Sequence, residues 1–302
     1  QADWNIFAGK DFSWNVGGNI SYNMNKVLKL PENGNYKNRM NGTLFADDYY
    51  AGIGGIAEGE RLYSVIGYKV SHILDNDKAA SEAMYDERAA GYDPVTQTYE
   101  KGRKIAGDYE WVDKDGSGTI TAKDQFVLGY LVPTTTGGFN TTVKIRDFEI
   151  YASFDYALGH VIYDRQISLV NSGAQSGYLN PTKDVLNYWS VPGDAAKTRY
   201  ARFDVEDGSD NGQWNHYRTS DENTYKGDYL SFRELKVSYN FPRTILNKTQ
   251  IKAAQVYFSG QNIYCFSQYP GYMTEYSSAS RNLSDGNYPQ PRIWTLGLNL
   301  TF

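Results

Sequence analysis

The stretch from residue 113 to residue 124 carries the sharpest chemical pattern in the chain. A calcium ion prefers about six to eight oxygen ligands, which a twelve-residue loop of the EF-hand type supplies from its positions 1, 3, 5, 7, 9 and 12. The residues at those positions all offer a side-chain or main-chain oxygen: Asp113, Asp115, Ser117, Thr119, Thr121 and Asp124. Gly118 stands at position 6, where such a loop turns sharply. The spacing therefore predicts a bound divalent cation, Ca²⁺, in a structural role.

Two features distinguish this loop from a paired calcium sensor. Position 12 is Asp124 where the pattern usually has Glu, and the shorter carboxylate reaches less easily for contact through both oxygens, so we expect weaker affinity. The flanking residues show no clear helical pattern, which predicts an isolated loop. The alternative is a plain turn rich in Asp, Gly and Ser, with solvated carboxylates.

Catalytic constellations are otherwise missing from the sequence. The three histidines, His72, His160 and His216, are far apart, and none forms an H-E-x-x-H motif. Cys265 lies in an aromatic stretch, which predicts an unreactive, small apolar residue rather than a nucleophile. The chain has no G-x-S-x-G elbow, no phosphate-binding G-x-x-x-x-G-K-[ST] loop and no G-x-G-x-x-G motif after a strand. These observations predict that the protein is not an enzyme.

Aromatic residues in a long connection are the remaining functional candidates. Trp189, Trp214 and Tyr217 all lie between His160 and Tyr229. Flat rings of this kind stack on sugars or on peptide side chains, which makes the three residues candidate substrate contacts. The alternative is that they pack the connection against its own domain or against a partner.

The elements that position these residues are strands with strict alternation. In the last segment Trp294, Leu296, Leu298 and Leu300 fall on one face, with polar residues and Gly between them. The same pattern, stronger or weaker, recurs about seven times, in segments near the length of about 9 to 11 residues that a tilted strand needs to cross a bilayer. The segments are 12–22, 61–71, 139–146, 148–158, 235–241, 255–266 and 294–302. Residues 75–100 read as a short helical stretch inside a loop.

Composition supports a β-rich protein and narrows its partners. Aromatic residues make up 15% of the 302 residues, with 27 Tyr and 29 Gly, which favours strands, turns and membrane interfaces. No apolar run reaches the roughly 18 residues of a membrane-spanning helix. The net charge of −5 argues against a nucleic-acid binder. A secreted β-sandwich and a transmembrane barrel both fit, since strands of each alternate.

The lengths of the connections discriminate between these two folds. If the last strand runs toward the periplasm, the three long connections, at 74–138, 160–229 and 267–292, all fall on the outer side. The turns at 146–147 and 240–254 are shorter and fall on the inner side, as in outer-membrane barrels. The stretch 25–59 is an exception, since it is a long connection on the inner side. The sorting, together with the terminal Phe302, favours the barrel.

A set of short motifs, in a fixed order over nearly the whole chain, resembles the C-terminal third of the SusC/RagA family of TonB-linked outer-membrane proteins. One such motif would carry little weight, but their order and combined spacing are specific. The motifs are Asp11-Phe-Ser-Trp-Asn, Ser21-Tyr-Asn, Ile66-Gly-Tyr-Lys, the 113–124 loop, Pro133 with Gly137-Gly-Phe139, Trp189 with Pro192-Gly-Asp194, Gly227-Asp-Tyr-Leu-Ser-Phe-Arg-Glu-Leu-Lys-Val-Ser-Tyr, Gly260-Gln-Asn262, Tyr269-Pro-Gly271-Tyr and Gly297-Leu-Asn-Leu-Thr-Phe302.

The resemblance implies a fold and partners that the alternation alone does not. Residues 1–302 would form the C-terminal part of one transmembrane antiparallel β-barrel of 22 strands with long extracellular loops. The plug domain and the N-terminal strands would lie outside this chain, which begins without a Met and looks processed or fragmentary. The whole protein would sit in the outer membrane of a Gram-negative bacterium of the Bacteroidetes type, in contact with lipid and LPS. It would import oligosaccharides or oligopeptides with a SusD-like surface lipoprotein, driven by TonB through the absent N-terminal part.

Two other classes of function compete with this importer hypothesis. A secreted, calcium-stabilised carbohydrate-binding module of β structure would be soluble and would hold sugars on its loop tryptophans. A glycoside hydrolase domain would need a carboxylate pair at catalytic separation in a cleft. Neither explains the sorting of the connections or the alternating strand that ends at Phe302.

Overall fold

The computed structural model describes residues 1–40, 53–93, 95–164, 167, 171, 180–203, 216, 218–247, 249–271 and 290–302. Its main feature is one seven-stranded antiparallel sheet, termed the wall, in which the order of strands follows the order of the chain. The strands are β1 (Ala2–Ala8), β2 (Phe12–Tyr22), β3 (Thr135–Ile145), β4 (Phe148–Leu158), β5 (Tyr229–Asn240), β6 (Ala253–Ser267) and β7 (Ile293–Thr301). Among the described residues, no helix is long and apolar enough to cross a membrane.

The wall has one apolar and one polar face, as the alternation predicts. In β7 the apolar face carries Leu296 and Leu298, which are 77% and 62% exposed. These pair across the sheet with Phe258 and Val256 of β6, so apolar side chains meet apolar side chains. Within the described residues no second sheet packs on this face, as it would in a soluble sandwich.

Six of the seven predicted strands lie in the wall, and the prediction for residues 61–71 is wrong. Those residues form two short strands, Ser64–Gly67 and Val70–Ile73, which pair outside the wall. All four residues of Ser64–Gly67 are buried, which is the pattern of a strand inside a small core rather than of a two-faced wall. The seventh wall strand is β1, whose alternation is interrupted by a bulge between Asn5 and Phe7.

A second bulge explains why the alternation around β5 is visible only from Leu235 onward. Phe232 and Leu235 are three residues apart, so in a regular strand they would lie on opposite faces. Both lie on the apolar face here, because Arg233 is an extra residue between two regular pairings. Phe232 therefore faces Phe154 of β4, and their rings stack at 4.6 Å between centroids. The predicted strand 235–241 accordingly extends back to Tyr229.

The connections between wall strands are sorted without exception. Short turns, at residues 9–11, 146–147 and 241–252, join strands at one end of the wall; the last contains a helical turn, Arg243–Leu246. Long connections join them at the other end, and we term these loop A (residues 23–134), loop B (159–228) and loop C (268–292). The anomalous stretch 25–59 belongs to loop A, because 61–71 is not a wall strand.

Loops A and B contain their own secondary structure. Among its described residues, loop A holds one α-helix, Asp77–Ser81, so the prediction of a helical stretch over 75–100 holds for five residues only. The helix starts where the Asn76 side chain accepts a hydrogen bond from the backbone N–H of Ala79. Strands follow it, and they pair in small sheets. The remaining elements of the two loops are the strands Ile53–Gly55, Tyr85–Asp86, Ala90–Asp93, Thr98–Lys101, Tyr109–Trp111, Thr119–Ile120, Phe126–Tyr130, Val161–Tyr163 and Thr224–Lys226, and the 3₁₀ turns Tyr36–Asn38, Ala122–Asp124, Lys183–Asn187, Asp194–Ala196 and Asp221–Asn223.

The two loops pack together into one unit, termed the loop body. Its core contains Tyr68, Trp111 and Ile120 of loop A and Ala201 of loop B, all with at most 3% of their surface exposed. Main-chain hydrogen bonds also cross between the loops, for example from the N–H of Tyr68 to the carbonyl of Thr219 at 2.9 Å. These partners are far apart in sequence, so the loop body joins the two loops through long-range contacts.

Candidate functional site

The predicted cation loop lies at the surface of the loop body, between the strands Tyr109–Trp111 and Phe126–Tyr130. Its second half is anchored by the strand Thr119–Ile120, which pairs with Tyr85–Asp86, and by the buried side chain of Ile120. Thr121 then caps the 3₁₀ turn Ala122–Asp124. These contacts fix both ends of the loop on one core.

The fold brings three of the predicted ligands together. One carboxylate oxygen from each of Asp113, Asp115 and Asp124 lies within 4.8 Å of the others. Asp124 is buried, Asp113 is half-buried and Asp115 is exposed. Three carboxylates at this separation repel one another unless a cation or N–H groups compensate them.

Backbone N–H groups provide part of that compensation. The carboxylate of Asp113 accepts hydrogen bonds from the N–H groups of Gly118 and Gly116, each at 2.8 Å. These bonds, with that of Gly118 the largest influence, lower the pKa of Asp113 below its usual value and keep it ionised. Gly118 has φ +76°, a left-handed backbone conformation that residues other than glycine rarely adopt, which accounts for glycine at position 6.

Asp124 and the neutral positions of the loop form a second layer of contacts. Asp124 accepts from the N–H groups of Lys114 at 2.8 Å and Thr121 at 2.7 Å, one on each carboxylate oxygen. The hydroxyl of Ser117 donates to the carbonyl of Thr119 at 3.0 Å. The donor set is therefore made of hard oxygens, as Ca²⁺ requires, and the three carboxylates fit the ion, while its binding stays a prediction.

The three aromatic candidates for substrate contact have different outcomes. Trp189 is half-buried against the core of the loop body, and its indole N–H donates to Asp75 at 3.2 Å. The same Asp75 carboxylate accepts from the N–H groups of Gly193 and Ala195, so its pKa is lowered by these backbone bonds, with that of Ala195 the largest influence. Trp214 and Tyr217 lie outside the described residues. The role of all three in substrate binding stays a prediction.

The polar face of the wall is a further candidate surface, which reasoning on single residues did not single out. Lys144 and Glu149 pair at 3.0 Å across β3 and β4. Lys236 of β5 lies over the ring of Tyr257 of β6, at 5.0 Å from its centroid. The signal in the sequence is the polar half of the alternation, which includes further residues: Ser13, Asn15, Asn140, Thr142, Tyr151, Ser153, Ser238, Gln255, Ser259, Gln261, Thr295 and Asn299.

The bulge in β5 places a charged cluster on this polar face. The guanidinium of Arg233 donates to both carboxylate oxygens of Asp155 on β4, from Nε to Oδ1 and from Nη2 to Oδ2, the second at 3.0 Å. It also reaches Asn262 of β6 at 3.4 Å and Gln290 at the end of loop C at 3.2 Å. Arg233 thus joins two neighbouring strands and the return of loop C at the loop end of the wall.

Comparisons with known proteins agree with the geometry of the wall. No family model matches the chain. A TonB-dependent receptor of Formosa agariphila is 27% identical over 311 residues, which cover 97% of this chain and 27% of the receptor. The TonB-dependent receptor SusC of Bacteroides thetaiotaomicron is 23% identical over 296 residues, which cover 97% of this chain and 25% of SusC. The chain therefore spans about a quarter of the length of these relatives.

Solved structures show the same fold. The structure of the RagAB peptide transporter superposes with a TM-score of 0.69 at 20% identity, over 99% of this chain and 28% of the matched chain. The RagAB peptide importer in its "open-open" state gives a TM-score of 0.66 at 19% identity. These similarities confirm the all-β fold of a transmembrane antiparallel barrel, and with the sequence relatives they confirm the resemblance to the SusC/RagA family of TonB-dependent proteins that the motifs predict.

Proposed function

We propose that this chain forms part of the barrel wall and the outer loops of a TonB-dependent importer in the outer membrane of a Gram-negative bacterium of the Bacteroidetes type. The observation that carries the proposal is the wall itself. Its apolar face is exposed, its polar face carries hydrogen-bonding and charged groups, and its long connections all lie at one end. That combination suits a strand layer between lipid and a water-filled lumen.

The unpaired edges of the wall support the proposal that it is part of a larger barrel. Among the described residues, β1 pairs only with β2 and β7 only with β6. Unpaired backbone N–H and C=O groups are not tolerated in the hydrocarbon region, so in a membrane both edges require further strands. The remainder of the same transporter barrel, with its plug domain, is the proposed partner at both edges.

The apolar face supports contact with lipid and LPS. Phe139, Phe154 and Phe232 stack face to face across β3, β4 and β5, with centroids 4.7 and 4.6 Å apart. Trp294 of β7 stacks on Phe258 of β6 at 5.4 Å. Large rings and leucines on an exposed face meet lipid at lower cost than water.

The proposed cargo is an oligosaccharide or an oligopeptide, taken up together with a SusD-like surface lipoprotein and with energy from TonB. Support comes from the names of the similar proteins, which include a SusC receptor and a peptide transporter. Those names describe receptors and transporters, which favours transport over catalysis. Ca²⁺ bound by Asp113, Asp115 and Asp124 would stiffen loop A near the entrance, where the cargo and the lipoprotein arrive.

Cysteine labelling of the full-length protein in isolated outer membranes tests the proposal. Two neighbouring positions of β7 are compared in a background in which Cys265, the single cysteine of these 302 residues, and every cysteine in the rest of the full-length protein are replaced by Ser. Asn299→Cys lies on the polar face and should react with a charged, water-soluble maleimide. Leu298→Cys lies on the apolar face and should not react until detergent is added. Rapid labelling of both positions before detergent would contradict the membrane wall, and unchanged uptake of glycans and peptides after gene deletion would contradict the importer.

A further inference from the structure

A half-open cavity lies inside the loop body, between loop A and loop B. The cavity has room for about three ordered waters, in a volume of about 40 Å³. With its open mouth the void measures about 460 Å³. We term it the tyrosine cavity, because four tyrosines line it together with Asn171 and Glu222: Tyr109, Tyr188, Tyr200 and Tyr225.

Two of the four tyrosines are fixed by their hydroxyl groups. Tyr109 donates to the carbonyl of Arg199 at 3.0 Å, and Tyr188 donates to the carbonyl of Asn171 at 2.5 Å. The ring of Tyr188 stacks on that of Tyr200, with centroids 5.1 Å apart. Aromatic walls held in this way are rigid, so they offer a preformed surface to a ligand.

Hydrogen-bonding groups in the cavity remain unused among the described residues. Among the described residues no hydrogen bond of the Tyr200 or Tyr225 hydroxyl is found, and both side chains are half-buried. The side-chain amide nitrogen of Asn171 is buried without a partner, and the residue is only 7% exposed. A buried donor left unsatisfied is destabilising, so a ligand or water that accepts from it is favoured.

The electrostatics of the cavity favour a ligand without net charge. The carboxylate of Glu222 is paired with Arg199, at 2.8 Å from the Nε donor. Burial raises the pKa of Tyr225 to about 12, so its phenol remains a neutral donor at physiological pH. The cavity therefore combines aromatic faces, neutral donors and a neutralised carboxylate.

We propose that the tyrosine cavity binds one neutral sugar unit of an imported glycan. A sugar ring presents C–H groups that pack on aromatic faces and hydroxyl groups that both accept and donate hydrogen bonds, which matches the free groups of Tyr200, Tyr225 and Asn171. One end of the sugar ring would fill the 40 Å³ of the cavity, and the rest of the ring would lie in its open mouth. The inference rests on the proposed function, because it treats the cavity as a contact for cargo on its way to the barrel.

The test measures binding to the purified full-length transporter in detergent by isothermal titration calorimetry. The probes are neutral tetrasaccharides of glucose, galactose, mannose and xylose, each used alone, and an uncharged, end-blocked tetrapeptide. We expect one of the tetrasaccharides to bind. Tyr200→Phe and Tyr225→Phe keep the rings and remove one hydroxyl each, so each should weaken binding by about 3- to 10-fold. Tyr36→Phe, an exposed tyrosine outside the cavity, is the matched control and should leave the affinity unchanged.

Two outcomes would overturn the inference. One is that none of the tetrasaccharides binds, and the other is that the double variant Tyr200→Phe/Tyr225→Phe, folded as judged by its heat-modifiable gel band, binds as tightly as the parent. Uptake by cells separates this failure from that of the proposed function. Import of peptides without binding of sugars leaves the importer intact and overturns the sugar site, whereas a gene deletion without effect on any uptake contradicts the importer.

Discussion

The wall and the loop body place apolar and charged side chains in opposite ways. On the wall, Leu296 is 77% exposed and Ile20 is 70% exposed, although both lie in regular strands and each is paired with a residue of a neighbouring strand. In the loop body, Arg218 and Asp86 are charged and at most 1% exposed. The difference shows that two regions of one chain are built for different surroundings. The wall leaves apolar residues exposed on one face, and the loop body buries charged residues inside a core of its own.

The two regions also differ in what holds their strands together. Wall strands have 7 to 15 residues and long ladders interrupted only by bulges, so the backbone supplies most of their contacts. The strands of the loop body have only two to five residues, and side chains from distant parts of the chain connect them. Arg218 of loop B donates to both carboxylate oxygens of Asp86 in loop A, at 3.3 and 2.9 Å, and lies over the rings of Tyr68 and Trp111. The loop body should therefore respond most strongly to the loss of single charged side chains.

The largest expected effect is the loss of the buried pair in the loop body. Arg218→Ala leaves Asp86 buried without its partner, which costs about 3 to 5 kcal/mol. We expect this loss in the free energy of local opening, measured by hydrogen exchange of the amides in Tyr109–Trp111. Arg103→Ala is the matched control, because Arg103 is 41% exposed and its pair with Asp93 is worth at most about 1 kcal/mol. Equal effects of the two substitutions would contradict the contrast between the regions.

The next effect concerns the wall. Leu298→Arg puts a charge on the apolar face, and in a bilayer this costs about 2 to 4 kcal/mol near the midplane. The measurement is the free energy of unfolding in lipid vesicles, from urea titrations of the full-length protein. Asn299→Arg, one residue further on the polar face, should cost less than 1 kcal/mol, by analogy with substitutions facing a lumen. A reversed order would show that the faces are assigned the wrong way round.

A smaller, pH-dependent effect is expected at the junction between the two regions. Burial lowers the pKa of His160, at the start of loop B, against a weaker opposing influence of Asp228. The folded state therefore keeps this imidazole neutral at a pH where the unfolded chain already binds a proton. The stability is fully present above pH 6.5 and is lost as the pH falls below it, by at most about 1.4 kcal/mol per pH unit.

Hydrogen exchange at the base of loop B between pH 7.5 and 5 measures this dependence. His160→Phe should flatten the profile, while His72→Ala, at an exposed histidine, should leave it unchanged. A profile that keeps its slope in His160→Phe would assign the dependence to other groups.

The sequence predicts the wall well because its physics is local. Alternation over nine or more residues identifies a face, and the sorting of connections follows once the strands are known. The prediction fails where local pattern and tertiary context diverge. Residues 61–71 resemble a wall strand in sequence. In the structure, however, neighbouring residues such as Val65 and Ile66 are both buried, so the segment does not have one exposed and one buried face. In β5, the single extra residue Arg233 shifts the alternation by one position, so the first half of the strand is not recognised from the sequence pattern.

The candidate sites show the same limit. The 113–124 loop is recognisable because its ligands are close in sequence and the main chain alone brings three of them together. The pair of Arg218 and Asp86 is not recognisable from the sequence, because the two residues are 132 positions apart. In the sequence, each of them looks like an ordinary charged surface residue. The tyrosine cavity likewise joins Tyr109 of loop A to Tyr225 of loop B, and no spacing in the sequence indicates that they meet.

The smallest effect on stability is expected at the cation loop, where backbone contacts already hold the structure. Asp113→Ala removes one of three carboxylates, so the affinity for Ca²⁺ should fall roughly tenfold or more, since the number of charged ligands tunes such sites. The measurement is calcium titration of the full-length protein, with Lys123→Ala as the control at a non-ligand position of the same loop. Unchanged affinity in Asp113→Ala would remove the site.

The same experiment tests whether the ion stiffens the loop body. The N–H of Glu87 donates to the carbonyl of Ile120 at 3.1 Å, beside the pairing of Tyr85–Asp86 with Thr119–Ile120. Chelation of Ca²⁺ should speed hydrogen exchange of the Glu87 amide severalfold in the parent and leave it unchanged in Asp113→Ala. Because the N–H groups of Gly116 and Gly118 already compensate Asp113, exchange in the core around Trp111 should not change with the ion. A change there would mean that the ion holds the loop body as a whole, as Arg218 does, and not only its surface.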